Sequence, residues 1–242
     1  MSINEEVYPN QPLVEVVFEV RFPGELQIEC DKYKFWNDIR DEYPNILVPH
    51  ANPDKALALV PYKFRNNAGD LTVMLALNSF SISTTNYQGF AHFREEIIRI
   101  YNIFVKHFTL SKINRVGWRY INIIPFTRDE GTIPLDKFLT LGFKVPKSIP
   151  ERFNTLSLKF ESRSNNDASI ITRLETIIKE DSPSSCEALL LDFDYGKTST
   201  DEHTLCLDHI DTYLDEAHEN TRLLFEDFIT NDYRQYLRGD VI

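Results

Sequence analysis

The chain has 242 residues, of which 42% are hydrophobic, 26% charged and 12% aromatic, the profile of a globular protein with enough apolar side chains to bury a core. Only eight residues are glycine, less than half the usual share of about 7%, and all eight are isolated. A Walker A loop, a dinucleotide fingerprint and a kinase-type phosphate loop, which need closely spaced glycines, are therefore excluded. The formal net charge of −11 disfavours generic binding to nucleic acid or anionic membrane.

In chain order, the first strong signal is residues 13–22 (LVEVVFEVRF), where Val14, Val16, Phe18 and Val20 alternate with Glu15, Val17, Glu19 and Arg21, a half-buried strand. Residues 32–43 space Phe35/Trp36, Ile39 and Tyr43 at helical intervals until Pro44. Residues 56–65, 71–77 and 80–84 read as three strands of an antiparallel meander, the first two joined by a turn at Asn66–Asp70 that contains Gly69. Residues 90–108 set Phe90, Phe93, Ile97, Tyr101, Phe104 and Phe108 on one stripe of a long helix.

From Asn114 the order restarts. Residues 115–124 predict a strand, 135–141 a short helix, and 153–163, 168–178 and 187–195 three more strands. Residues 205–229 predict a long helix with Leu207, Ile210, Leu214, Ala217, Thr221, Leu224 and Phe228 on its apolar seam. The expected class is α+β: two repeated units of strand, helix, three strands and long helix, residues 1–112 and 113–242, packed as one compact unit with antiparallel sheet and helices on one face. The two units would either each curl a sheet around their own helix or join their sheets into one wide surface.

Residues 187–242 hold fourteen acidic and four basic side chains, so nearly all the net charge is C-terminal. Asp208, Asp211, Asp215, Glu216 and Glu219 are expected on the outward side of the last helix, as a solvated face or a match to a basic partner. Cys30, Cys186 and Cys206 are far apart, which suggests neither a disulfide framework nor a zinc knuckle and fits a reducing cytoplasm. The N-terminal MSINEEVYPNQP has no apolar core and no run of 18 apolar residues occurs, so neither a secretory leader nor a membrane span is expected.

Asp192 and Asp194 lie two apart in a strand, so their carboxylates share one face about 7 Å apart and could hold a divalent cation between them; ion pairing with a neighbouring arginine is the plainer reading. Arg115, Gly117 and Arg119 share one face of their strand and Glu15, Glu19 and Arg21 one face of the first, which predicts cross-strand ion pairs or a polar recognition surface carrying Arg21, Arg119 and both aspartates. His209 and His218 are roughly 13 Å apart along the last helix, too far for one metal. His218, beside the apolar seam, is expected to be a hydrogen-bonded boundary residue. Cys206 is expected as a buried, inert thiol at a helix start.

Tyr8, Asn10, Pro12-Leu13, Glu15-Val16, Glu19 and Arg21-Phe22, then Arg119-Tyr120-Ile121-Asn122, Leu191-Asp192-x-Asp194, and finally His218, Phe225 and Thr230 together resemble a sporadically distributed prokaryotic family of about this length. The resemblance spans nearly the whole chain. It carries over no catalytic residue, and its patchy distribution, like that of mobile defence and toxin–antitoxin genes, implies work with a neighbouring gene product.

The resulting expectation is a non-enzymatic cytoplasmic interaction protein with a protein partner, no cofactor and no metal. The alternatives are a small-molecule binding module with an aromatic-lined cavity, and a metal-assisted hydrolase using Asp192 and Asp194. The candidate partner- or ligand-binding residues are Arg21, Arg119, Asn122, Asp192, Asp194 and His218.

Overall fold

The computed structural model describes residues 7–49, 60–142, 144, 146–149, 152–164, 168–181, 184–200, 204–206 and 209–240. Among these the chain forms β1 (Leu13–Arg21), α1 (Gln27–Ile39), β2 (Asn45–Leu47), β3 (Tyr62–Arg65), β4 (Leu71–Ala76), β5 (Ser79–Thr84), α2 (Phe90–His107), β6 (Arg115–Pro125), α3 (Leu135–Phe138), β7 (Ser157–Arg163), β8 (Ser169–Asp181), β9 (Ser184–Thr198), α4 (Ile210–Phe228) and α5 (Asn231–Arg238). The strands join a single nine-stranded sheet in the order β2-β3-β4-β5-β1-β6-β9-β8-β7. Every pairing is antiparallel, and the class is α+β, as the residue patterns predict.

Both halves wind in the same sense. Outward from the centre, the order is the half's first strand (β1 or β6), then its last (β5 or β9), then β4 or β8, then β3 or β7; β2 adds an edge to the first half. The halves meet through β1 and β6, with Phe18 opposite Trp118, so their two sheets form one continuous surface. The helices that follow β5 and β9 meet over it, where Arg94 Nε on α2 donates to Asp215 Oδ1 on α4 at 2.6 Å.

Strand alternation decides which face is covered. On β1, Val16, Phe18 and Val20 are fully buried beneath the helices, while Glu15, Val17, Glu19 and Arg21 point to the other face. The predicted stripe of α2 is buried as expected, with Phe90, Phe93, Ile97, Tyr101 and Phe104 turned to the sheet. Phe104 stacks on Phe80 of β5 at 4.4 Å, and Phe35 of α1 meets both rings edge-on. A second core cluster forms where β6, β9 and β8 run under the end of α4, joining Ile124, Leu191, Phe193 and Leu174 to Ile229, Tyr233 and Leu237.

Several boundaries differ from expectation. Helix α1 occupies residues 27–39 and not 32–43: the Glu25 carboxylate accepts the Gln27 N–H at 2.9 Å, starting the helix early, and only a hydrogen-bonded turn from Ile39 to Tyr43 continues past its end. Strand β3 begins at Tyr62, and residues 56–59 of the expected strand lie outside the described residues. The short helix is a single turn, α3, because Leu139 is extended and bridges Ile229. Strand β7 starts at Ser157 and not at 153. Helix α4 starts at Ile210 and not at 205, since Leu205 instead bridges Ile113; Leu207 and Asp208 lie outside the described residues. Cys206 consequently precedes the helix and is exposed, not buried. Glu216 faces inward, accepting the Tyr195 hydroxyl and pairing with Lys197 Nζ at 2.7 Å, whereas Asp211, Asp215 and Glu219 are exposed. No helix among the described residues is long and apolar enough to cross a membrane.

Candidate functional site

The six candidate residues divide between the two faces of the sheet. Arg21, Arg119, Asp192 and Asp194 stand on the face that no described helix covers; Asn122 and His218 meet on the helix side.

On the uncovered face the carboxylates are engaged by guanidinium groups. Asp192 is almost completely buried, its side chain 3% exposed, and it accepts Arg119 Nε at 2.6 Å and Nη2 at 2.7 Å, with Arg173 Nη1 at 3.9 Å on its other flank. This bidentate pair keeps the Arg119 guanidinium more strongly protonated than usual. Asp194 accepts Arg115 Nη2 at 2.6 Å, Arg115 Nη1 lies 3.7 Å from Glu19, and Glu19 in turn accepts Arg21 Nε at 2.6 Å. The cross-strand ion pairs expected from the alternation are thus present. Among the described residues no group of three or more His, Cys, Asp or Glu side chains is placed to hold a metal ion, and the paired aspartates face arginines instead of each other.

Arg115 reaches Asp194 by passing over Gly117 and Gly196, which are directly opposite each other in the register of β6 and β9. A Cβ on Gly117 would overlap Arg115 Nη1, and one on Gly196 would come to 2.5 Å from Nη2. Two of the few glycines therefore make room for a side chain, not for a turn or a phosphate.

On the helix side, a cavity of about 80 Å³ opens between α4, β6, the start of α2 and residues 7–13. Strand β6 turns Tyr120 and Asn122 toward the helices, and α4 presents His218, Arg222, Phe225 and Glu226 along one stripe, at the i, i+4, i+7 and i+8 spacing of a helix face. Gly89, at φ +116°, leads into α2, whose first residue Phe90 stacks on the His218 ring at 3.9 Å with the planes 4° apart.

A hydrogen-bond chain runs along the cavity. Tyr87 Oη and Tyr120 Oη are 3.1 Å apart, and Tyr120 Oη is 2.7 Å from His218 Nδ1. Burial, reinforced by the nearby Arg222 and only partly opposed by Asp215, lowers the His218 pKa to about 4, so the ring is neutral at pH 7. Burial also raises the Tyr120 hydroxyl well above the ordinary tyrosine range, with Tyr87 adding to it. A neutral imidazole has one donor and one acceptor nitrogen. With Tyr120 donating to Nδ1, Nε2 carries the proton and donates; with the chain reversed, Nε2 accepts. Either direction keeps both hydrogen bonds of the chain, so the histidine can present a donor or an acceptor; in the reversed one the Tyr87 hydroxyl proton points away from Tyr120.

Asn122, 3% exposed, donates Nδ2 to the Leu191 carbonyl at 3.1 Å. Among the described residues neither its Oδ1 nor His218 Nε2 has a hydrogen-bond partner, and Arg222 has no ion-pair partner. Glu226 is already held by Arg234 Nε at 2.8 Å and by the Tyr8 hydroxyl at 2.7 Å.

His218 is the hydrogen-bonded boundary residue that its position predicts. Tyr87, Tyr120, Phe90 and Arg222 were not singled out as site residues. The available signal was the polar stripe at 218, 222 and 226, one helical step to the side of the apolar seam. No protein-family model matches the chain, and no curated protein matches it.

Proposed function

We propose that the protein binds a small molecule in the cavity between α4 and β6. The observation that carries this reading is the Tyr87–Tyr120–His218 chain, which ends on a neutral, half-buried histidine in a cavity whose wall is mostly aromatic and aliphatic, with Asn122, Arg222 and Glu226 as further polar groups: a few oriented polar groups on an apolar wall is the usual composition of a ligand site. The charges of the uncovered face, by comparison, are largely neutralised by one another and leave less for a ligand to satisfy.

The reading is tested by screening a metabolite library for compounds that raise the melting temperature of the full chain, with Phe225→Trp as the variant that fills the cavity. Compounds that stabilise the native chain and not the variant are the expected result. A screen without stabilising compounds, or with compounds that stabilise both chains equally, would overturn it.

A second reading, favoured by the absence of any described helix over the face that carries Arg21, Arg119 and Asp194, is a cytoplasmic interaction protein that docks a protein partner there, the product of a neighbouring gene in a mobile defence or toxin–antitoxin type system. Co-purification with that gene product, lost on Arg21→Glu, is its expected signature; recovery of the chain free of it would remove this reading.

A further inference from the structure

We infer, building on the ligand-binding reading, that the molecule taken by the α4–β6 cavity is a small monocarboxylate whose carboxylate sits on the Arg222 guanidinium and whose apolar body lies against Phe90 and Phe225.

Arg94, Arg99, Arg115, Arg119, Arg128 and Arg234 each have a carboxylate oxygen at 2.6–2.8 Å. Arg222 is half-buried in the cavity wall and has no such partner among the described residues. On α4, Glu226, one turn along, is committed to Arg234 and Asp215 to Arg94, and Glu219, three residues before Arg222, is exposed and forms no ion pair with it among the described residues. Partial burial of a cation without its counter-charge is unfavourable, and a bound anion offsets that cost.

The remaining groups narrow the anion. A guanidinium presents a planar fork that matches a carboxylate with two parallel hydrogen bonds. A dianion such as phosphate would bring two charges to the one cation that Arg222 supplies, in a chain whose net charge of −11 already repels polyanions. Phe90 and Phe225, with Pro12 and Leu13, give the body of the ligand an apolar bed. The volume of about 80 Å³ is smaller than the roughly 150 Å³ of a cavity that encloses benzene. Butyrate has as many non-hydrogen atoms as benzene, so a short chain and a ring alike enter with part of the molecule toward solvent.

The test uses the full chain and four probes: butyrate and benzoate, with butyramide and benzamide as neutral isosteres. Binding is read by titration calorimetry and by the shift of the His218 ring protons in NMR spectra, which places the probe in the cavity. At least one acid is expected to bind tenfold or more tightly than its amide. Arg222→Gln should remove that preference, and Arg222→Lys, which keeps the charge without the fork, should retain part of it. Arg222 is not in a core cluster, so both variants are expected to fold, as checked by a melting temperature no lower than that of the native chain. Acid and amide binding equally, or acid binding unchanged by Arg222→Gln, would overturn the carboxylate assignment and leave the ligand-binding reading intact. The same holds if neither acid binds while the metabolite screen returns a neutral ligand; a screen that returns nothing overturns both.

Discussion

Gly117 and Gly196 face each other across β6 and β9, and the guanidinium of Arg115 fills the space that their missing side chains leave. Neither glycine has a positive φ, so alanine fits the backbone at both positions and the only obstacle is Arg115. Moving that side chain aside breaks its 2.6 Å contact with Asp194. Gly117→Ala is therefore expected to cost about 1 kcal/mol, the upper range for a partly exposed ion pair. In an Arg115→Ala background the same change should be neutral or stabilising by about 0.5–1 kcal/mol, because glycine inside a strand is itself unfavourable. Urea denaturation of the four chains measures this coupling, and an equal effect in both backgrounds would remove the role assigned to the pair.

The two arginines beside Asp192 make unequal contributions. Arg119 holds both carboxylate oxygens, at 2.6 and 2.7 Å, whereas Arg173 stands off at 3.9 Å. Removing Arg119 leaves a carboxylate that is 3% exposed without a close cation, which costs about 3 kcal/mol by analogy with broken buried pairs. Arg173→Ala should cost less than about 1 kcal/mol. Tryptophan fluorescence in a denaturant titration reports both, and comparable losses would mean that the two arginines share the carboxylate.

The contrast between the two faces also explains what could be read from the residues alone. Two-residue alternation gave β1 and β6 and put Arg21, Arg119, Asp192 and Asp194 on one face, since side-chain direction in a strand follows from position. The stripe of α2 was equally legible from Phe90 to Phe104. Hidden from such patterns was anything that depends on pairing across the chain: that Tyr87 would lie beside Tyr120, or that Glu226 would be claimed by Arg234 and leave Arg222 without an ion-pair partner among the described residues. Helix α5 was missed for another reason. It has eight residues, too few for a stripe to emerge, and only its caps, Thr230 and Gly239, mark it.

Those caps carry a prediction. Thr230 Oγ1 accepts the Tyr233 N–H at 3.1 Å and donates to the Lys137 carbonyl at 2.9 Å, and Gly239 closes the helix at φ +81°. Thr230→Ala should cost about 1 kcal/mol, and Gly239→Ala a similar amount, since a side chain in the left-handed region is strained. Because α5 seals the second core cluster through Tyr233 and Leu237, the loss should appear first as faster amide exchange in α5, with β1 and β6 unchanged. Uniform acceleration across the chain would show instead that α5 does not open independently.

His218 makes stability depend on pH. Its folded pKa is about 4, below the ordinary value of 6.5, because burial and the neighbouring Arg222 penalise the charged ring. Between those two values the unfolded chain binds a proton that the folded chain does not, so stability falls as pH drops through this window. Above pH 6.5 both states are neutral and the effect vanishes; below about pH 4 both are protonated and it levels off. Its full size is about 3 kcal/mol, at 1.36 kcal/mol per pKa unit. His218→Phe keeps a ring to stack on Phe90 but has no proton to gain, so its stability should fall less than that of the native chain between pH 7 and pH 4.5. The shared titration of carboxylates cancels in the difference between the two curves. Parallel curves across that range would mean that the ring is charged, or free to charge, in the folded protein, and the hydrogen-bond chain through Tyr120 would then have to be redrawn with a histidine that donates from both nitrogens.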